Sequence, residues 1–82
     1  MDPQAAWNEL LSASLNRDWG RAEELADGLL AWLGKHGAPP ITVGDRALGV
    51  EWHNAVAQFV CYLAQSKVRE ARRRNRNRRR KS

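Results

Sequence analysis

No Asp, Glu, Lys or Arg lies between Glu51 and Lys67, a gap of fifteen residues in a chain of 82. Cysteine is limited to Cys61, so no intramolecular disulfide can form and a reducing, cytoplasmic setting is expected. No run reaches the roughly 18 apolar residues of a membrane span. The best candidate, 50–64, is broken by Glu51, His53, Asn54 and Gln58. The opening Met1-Asp2-Pro3-Gln4 lacks the basic region and apolar stretch of a secretory signal. Proline occurs three times, at Pro3, Pro39 and Pro40, each time as punctuation of a helix.

Enzyme signatures are also missing, and neither catalysis nor a cofactor is expected. His36 and His53 stand 17 residues apart and form no recognised metal spacing with Cys61. His53 and Cys61 share a helix stripe, but two ligands are too few, which favours a structural role. Ser12 and Ser14 have no base nearby in sequence, no glycine-rich phosphate loop precedes a helix, and Glu23 and Glu24 belong to a solvated face.

What is abundant is positive charge at one end. Residues 1–66 hold four basic side chains (Arg17, Arg21, Lys35, Arg46) against eight acids, a net of −4. Residues 67–82 hold ten against one, Glu70, a net of +9. The overall +5 averages two unlike parts. A dense cationic run attracts polyanions by releasing their counterions and needs no folded pocket. Arginine outnumbers lysine eleven to three. Guanidinium pairs with phosphate in a two-point fork and stacks on bases, which suits RNA better than ammonium does. An arginine-rich coding bias produces the same excess. An acidic protein partner or a solvated tail without a fixed partner are the alternatives, and a membrane surface is disfavoured because the tail carries no residue to insert.

Hydrophobic spacing predicts an all-α fold: a small three-helix domain over residues 1–66, with helices at about 3–16, 18–34 and 50–73. The last extends into a basic, partly disordered tail over 67–82. Asp2 before Pro3 and Asp18 before an apolar stripe are helix starts, while Gly34, Gly37, Pro39 and Pro40 end the second helix. Trp7, Leu10, Leu11, Ser14 and Leu15 recur at helical spacing, as do Ala22, Leu25, Ala26, Leu29, Leu30 and Leu33. The short joint at Arg17 implies an antiparallel hairpin. Between the prolines and Gly49, Ile41 and Val43 are expected to point inward and Thr42 outward. On the third helix, Trp52, Ala55, Val56, Phe59, Val60 and Leu63 are expected to complete the core. The opposite side (Asn54, Ala57, Gln58, Cys61, Ala64, Gln65) is small or neutral. That makes the Ala57/Cys61/Ala64 face either a candidate homodimer contact or an ordinary helical surface.

The run Arg69-Glu-Ala-Arg-Arg-Arg-Asn-Arg-Asn-Arg-Arg-Arg80 resembles the arginine-rich RNA-binding helices of viral RNA-export and antitermination proteins, which likewise interleave arginine with alanine, glutamine or asparagine. The resemblance implies a helix that orders in a widened RNA groove, with arginines on phosphates and Asn75 or Asn77 on a base edge. The expected nucleic-acid contacts are Lys67, Arg69, Arg72, Arg73, Arg74, Asn75, Arg76, Asn77, Arg78, Arg79, Arg80 and Lys81. Residues 18–33, with Trp19 after Asp18 and the small Ala22 three positions on, resemble the turn and second helix of one tetratricopeptide repeat. With no second copy at a 34-residue period, this implies a hairpin of helices with Trp7, Trp19 and Trp32 in packing roles, and no peptide groove. The competing class is a helical protein-interaction module whose basic tail only steers or solubilises.

Overall fold

The computed structural model describes the backbone of residues 1–80 and the side chains of residues 1–74. Three α-helices, α1 (Pro3–Leu15), α2 (Trp19–Gly34) and α3 (Val50–Arg80), and one 3-10 turn (Arg46–Leu48) make up the described secondary structure. The fold is all-α, as its periodicity predicts. None of these helices is long and apolar enough to cross a membrane.

Each start has a chemical cause. The Asp2 carboxylate accepts from the free amides of Gln4 and Ala5 with Pro3 as the first helical residue, and Asp18 accepts from Arg21. The two ends share one device. Arg17 N–H bonds Ser14 O and Asp18 N–H bonds Ala13 O; likewise His36 N–H bonds Leu33 O and Gly37 N–H bonds Trp32 O. These are Schellman closures, and each needs one left-handed residue. Arg17 (φ 57°) and His36 (φ 64°) fill those positions, so the turn falls between the expected breakers Gly34 and Gly37. Gly37 serves another purpose, because a Cβ there would come within 2.4 Å of the Trp32 ring, whose indole N–H is bonded to Ala38 O.

α2 is the central element and packs against both α1 and α3. Its stripe Ala22, Ala26, Leu29 and Leu33 is buried, and Trp7, Leu10 and Ala13 of α1 close one side of it. Leu11 and Leu15, which share the helical spacing of Trp7, lie outside the core. Trp19 and Trp32 pack at its edge.

The other side is closed by the face of α3 that was expected to look outward. Ala57 and Cys61 are fully buried, with Ala64, Val68 and His53 nearly so. Trp52, Phe59, Tyr62 and Leu63 are exposed. Of the face expected to point inward, Val56 and Val60 pack at the edge of the core while Ala55 is exposed with the larger side chains, so α3 is rotated away from the facing its hydrophobicity suggests, and the Ala57/Cys61/Ala64 face is occupied within the monomer and unavailable as a homodimer contact. Small residues on both helices allow α2 and α3 to approach closely. Polar partners reinforce this choice: Gln65 Nε2 donates to Asp27 Oδ1 (2.6 Å) and Arg72 pairs with Glu23 (3.0 Å), which also sets α3 antiparallel to α2.

His53 fastens the segment between α2 and α3. Its Nδ1 accepts from the Thr42 amide (3.0 Å) and its Nε2 lies 3.0 Å from Asp45 O, a pairing that assigns the proton to Nε2. Thr42 thus turns inward and Val43 outward, contrary to the alternation expected, while Ile41 is half-buried. The Gln4 amide grips Ile41 from the α1 side, accepting from its N–H (2.9 Å) and donating to its carbonyl (3.2 Å).

Three measurements check the facing. Ala57→Leu adds volume where there is none and is expected to cost about 1–3 kcal/mol in urea unfolding. Burial, then the Asp27 charge, pushes the Cys61 thiol up to about 11. A raised folded-state value means that this contribution to stability is complete below the unfolded thiol range near ~8.5 and declines as pH rises toward the folded value. Relative to Cys61→Ala, the native chain should lose up to about 1.4 kcal/mol per pH unit above that point. A thiol reagent should label Cys61 at least ~100-fold faster in urea than in buffer.

Candidate nucleic-acid interface

The third helix does not stop where its core contacts end. It runs without a break through the basic segment to Arg80, seven residues beyond the boundary expected near 73. The first part of that segment belongs to the packed body: Val68 is buried, Ala71 is half-buried, and Arg72 is tied to Glu23 of α2. The body therefore holds the base of the cationic helix in a fixed direction.

Of the expected contact residues, Lys67, Arg69, Arg72, Arg73 and Arg74 are described, and all five are exposed. They do not share one role. Arg72 faces α2 and is neutralised by Glu23, while Lys67 lies 3.5 Å from Glu70 one turn on. Arg69, Arg73 and Arg74 have no ion-pair partner among the described residues. The side chains of Asn75, Arg76, Asn77, Arg78, Arg79, Arg80 and Lys81 lie outside the described residues.

Where α3 passes the α1–α2 turn, a groove of about 360 Å³ opens, lined by Arg17, Trp19, Lys67, Glu70, Ala71 and Arg74. Lys67 and Arg74 are seven residues apart, two turns along the same side and about 10 Å from each other. Arg17 and the half-buried Trp19 approach them from the turn. Three cations, one carboxylate and a half-buried indole therefore meet in one concave surface. Such a combination suits an anionic backbone with a base or sugar stacked beside it.

Arg17 and Trp19 were read from the sequence as a joint and a packing residue. The signal that marks Arg17 is its place directly before the capping Asp18, where a helix ending in a Schellman closure requires a left-handed residue. Arginine there is less favourable than glycine, and backbone strain of this kind concentrates at working surfaces. No family model matches the chain, and no curated protein or solved structure is similar to it.

The Glu23–Arg72 pair is solvent-exposed, so its share of stability is small. Glu23→Gln is expected to lower unfolding free energy by no more than about 1 kcal/mol while releasing Arg72. Urea unfolding with and without added salt checks this, and the difference should vanish in high salt.

Proposed function

We propose that this chain is a small nucleic-acid-binding protein, with RNA favoured over DNA, that grips phosphates with the C-terminal extension of α3 and with Arg17 at its base. The observation that carries the reading is the placement of nine of the last ten cations on a helix anchored by Val68 and Arg72. Anchoring lowers the cost of ordering the first arginines on a ligand. The same cations on a free tail would have to be ordered at binding. Guanidinium forks and the indole of Trp19 favour RNA, with its exposed bases and phosphates, as ligand. The chain acts as a binder without catalysis or cofactor. The lone thiol of Cys61 suits a reducing cytoplasm.

A second reading, a helical protein-interaction module, draws on a separate observation: the exposed apolar side of α3. The two readings use opposite parts of one helix and are compatible.

A salt titration on single-stranded RNA, duplex RNA and duplex DNA tests the proposal. If five to seven cations contact phosphate, log K should fall against log salt with a slope of roughly −4 to −6 on duplex DNA, and less steeply on single strands. Ending the chain after Arg74 leaves every described packing contact in place and removes Arg76, Arg78, Arg79, Arg80 and Lys81. The slope should then shrink by about 4. An unchanged slope would refute the assignment of binding to this helix. In the shortened chain, Arg17→Gln should weaken the remaining binding several-fold, and replacing Asn75 and Asn77 by Ala in the full chain tests whether either reads a base.

A further inference from the structure

Among the described residues, the outer side of α3 gathers most of the exposed aromatic side chains. Trp52, Phe59, Tyr62 and Leu63 expose 46%, 69%, 58% and 47% of their surface, beside the half-buried Val56 and Val60. Val43, whose carbonyl accepts from the Trp52 indole, and Leu48 extend the patch at its N-terminal end. With aromatic side chains of roughly 200 Å² each, the three rings alone present about 350 Å² of apolar surface. A monomer's largest patch is typically about 300–600 Å² and commonly functional.

The spacing of this patch is ordered. Trp52, Val56, Phe59 and Leu63 follow one another by four, three and four residues, the repeat of a helix-pairing seam. Their mean direction lies about 130° around α3 from the buried stripe His53, Ala57, Cys61, Ala64 and Val68, which leaves Trp52, Phe59 and Leu63 exposed while Val56 packs at the edge of the core. No charged residue lies within the span.

We propose that this face pairs with the same face of a second copy of the chain, with the two α3 helices antiparallel. The register is self-complementary. A two-fold axis between residues 57 and 58 sets Trp52 against Leu63 of the other copy and Val56 against its Phe59. This gives four closed layers, in which Tyr62 lies over the small Ala55. Charge selects the direction. A parallel pair would hold two segments of net charge +9 side by side at the 8–10 Å spacing of packed helices, about one Debye length. The antiparallel pair already separates the two Lys67 positions by about 30 Å and sends the cationic ends in opposite directions.

The area agrees. Two copies would bury about 700 Å² from the rings alone. Leu63, the exposed part of Val56 and the backbone between them bring the total to roughly 1,000 Å², where specific interfaces begin. A nucleic acid stacked on the rings fits less well, since cations are absent between Glu51 and Lys67. A foreign helix would need no such two-fold match.

Sedimentation equilibrium of the full chain between ~1 and ~200 µM tests the pairing. The expected result is a reversible rise from 9.3 kDa to twice that mass. Phe59→Glu and Leu63→Lys should each weaken association at least ~30-fold, with the helical signal at low concentration unchanged because both residues are exposed. Trp52→Glu combined with Leu63→Lys in one chain should recover at least ~10-fold over either substitution alone, since only the antiparallel register places the new charges opposite each other. A monomer throughout the range overturns the proposal, as does a dimer indifferent to Phe59→Glu. Failure of the double substitution to recover overturns the antiparallel register. A monomer whose tryptophan emission is quenched by single-stranded RNA, with quenching lost in Phe59→Glu and Trp52→Phe, would assign the face to nucleic acid instead.

Discussion

The contact on which everything else depends is the close approach of α3 to α2 through Ala57, Cys61 and Ala64 on one side and Ala22 and Ala26 on the other. By area alone it is the poorer choice. Turning Trp52, Phe59 and Tyr62 inward would take about 350 Å² of ring surface out of water, worth about 9 kcal/mol at 25 cal/mol/Å² before subtracting the surface of Ala57, Cys61, Ala64 and Val68 that the same rotation would expose. Yet rings on that seam would hold the helices apart and leave empty space beside Ala22 and Ala26, and each void carries its own cost. A rotated α3 would also lose the Thr42 and Asp45 bonds of His53, the Gln65–Asp27 bond and the Arg72–Glu23 pair. Packing distance and polar partners together outweigh apolar area.

That choice fixes the direction of the basic segment. Because Val68 and Arg72 continue the seam beyond the last core alanine, the cationic helix leaves the body along α2 and passes the α1–α2 turn. Arg17, set by the Schellman closure of α1, meets Lys67 and Arg74 there. The groove is thus a consequence of three local decisions, two in backbone geometry and one in packing.

Element positions were readable because their signals are local. Asp2 with Pro3, Asp18, and Gly49 ahead of Val50 act within one turn, and the helices begin within a residue of those marks. The facing of α3 was not readable from hydrophobicity, because α3 is apolar on two sides and the larger side chains attract the inward assignment. A different signal was present: small residues spaced by four and three on α3 (Ala57, Cys61, Ala64) match a small pair spaced by four on α2 (Ala22, Ala26), and His53 stands on the same stripe. Matching of small to small across helices is a pairwise property, invisible to a scan of either helix alone. The extension of α3 to Arg80 was underestimated because repulsion among adjacent guanidiniums was weighed without the anchoring of Val68 and Arg72.

The fifteen residues without charge now have a physical account on both sides. Inward, a charge at Ala57, Cys61 or Ala64 would have no partner in the seam and would carry a large desolvation cost. Outward, a solvated helix has no such restriction, so neutrality there is a separate constraint, and a face that must pair with its own copy supplies one. Under the proposed two-fold axis only residues near 57 and 58 meet their own symmetry mates, and a charge elsewhere in the seam would face an apolar side chain of the other copy, so such a seam is best left without charges. The cations begin at Lys67, about 14 Å from that axis, where the two copies diverge. An antiparallel pair would then carry one basic arm at each end. It could hold one strand at two separated places, each arm raising the effective concentration of the other.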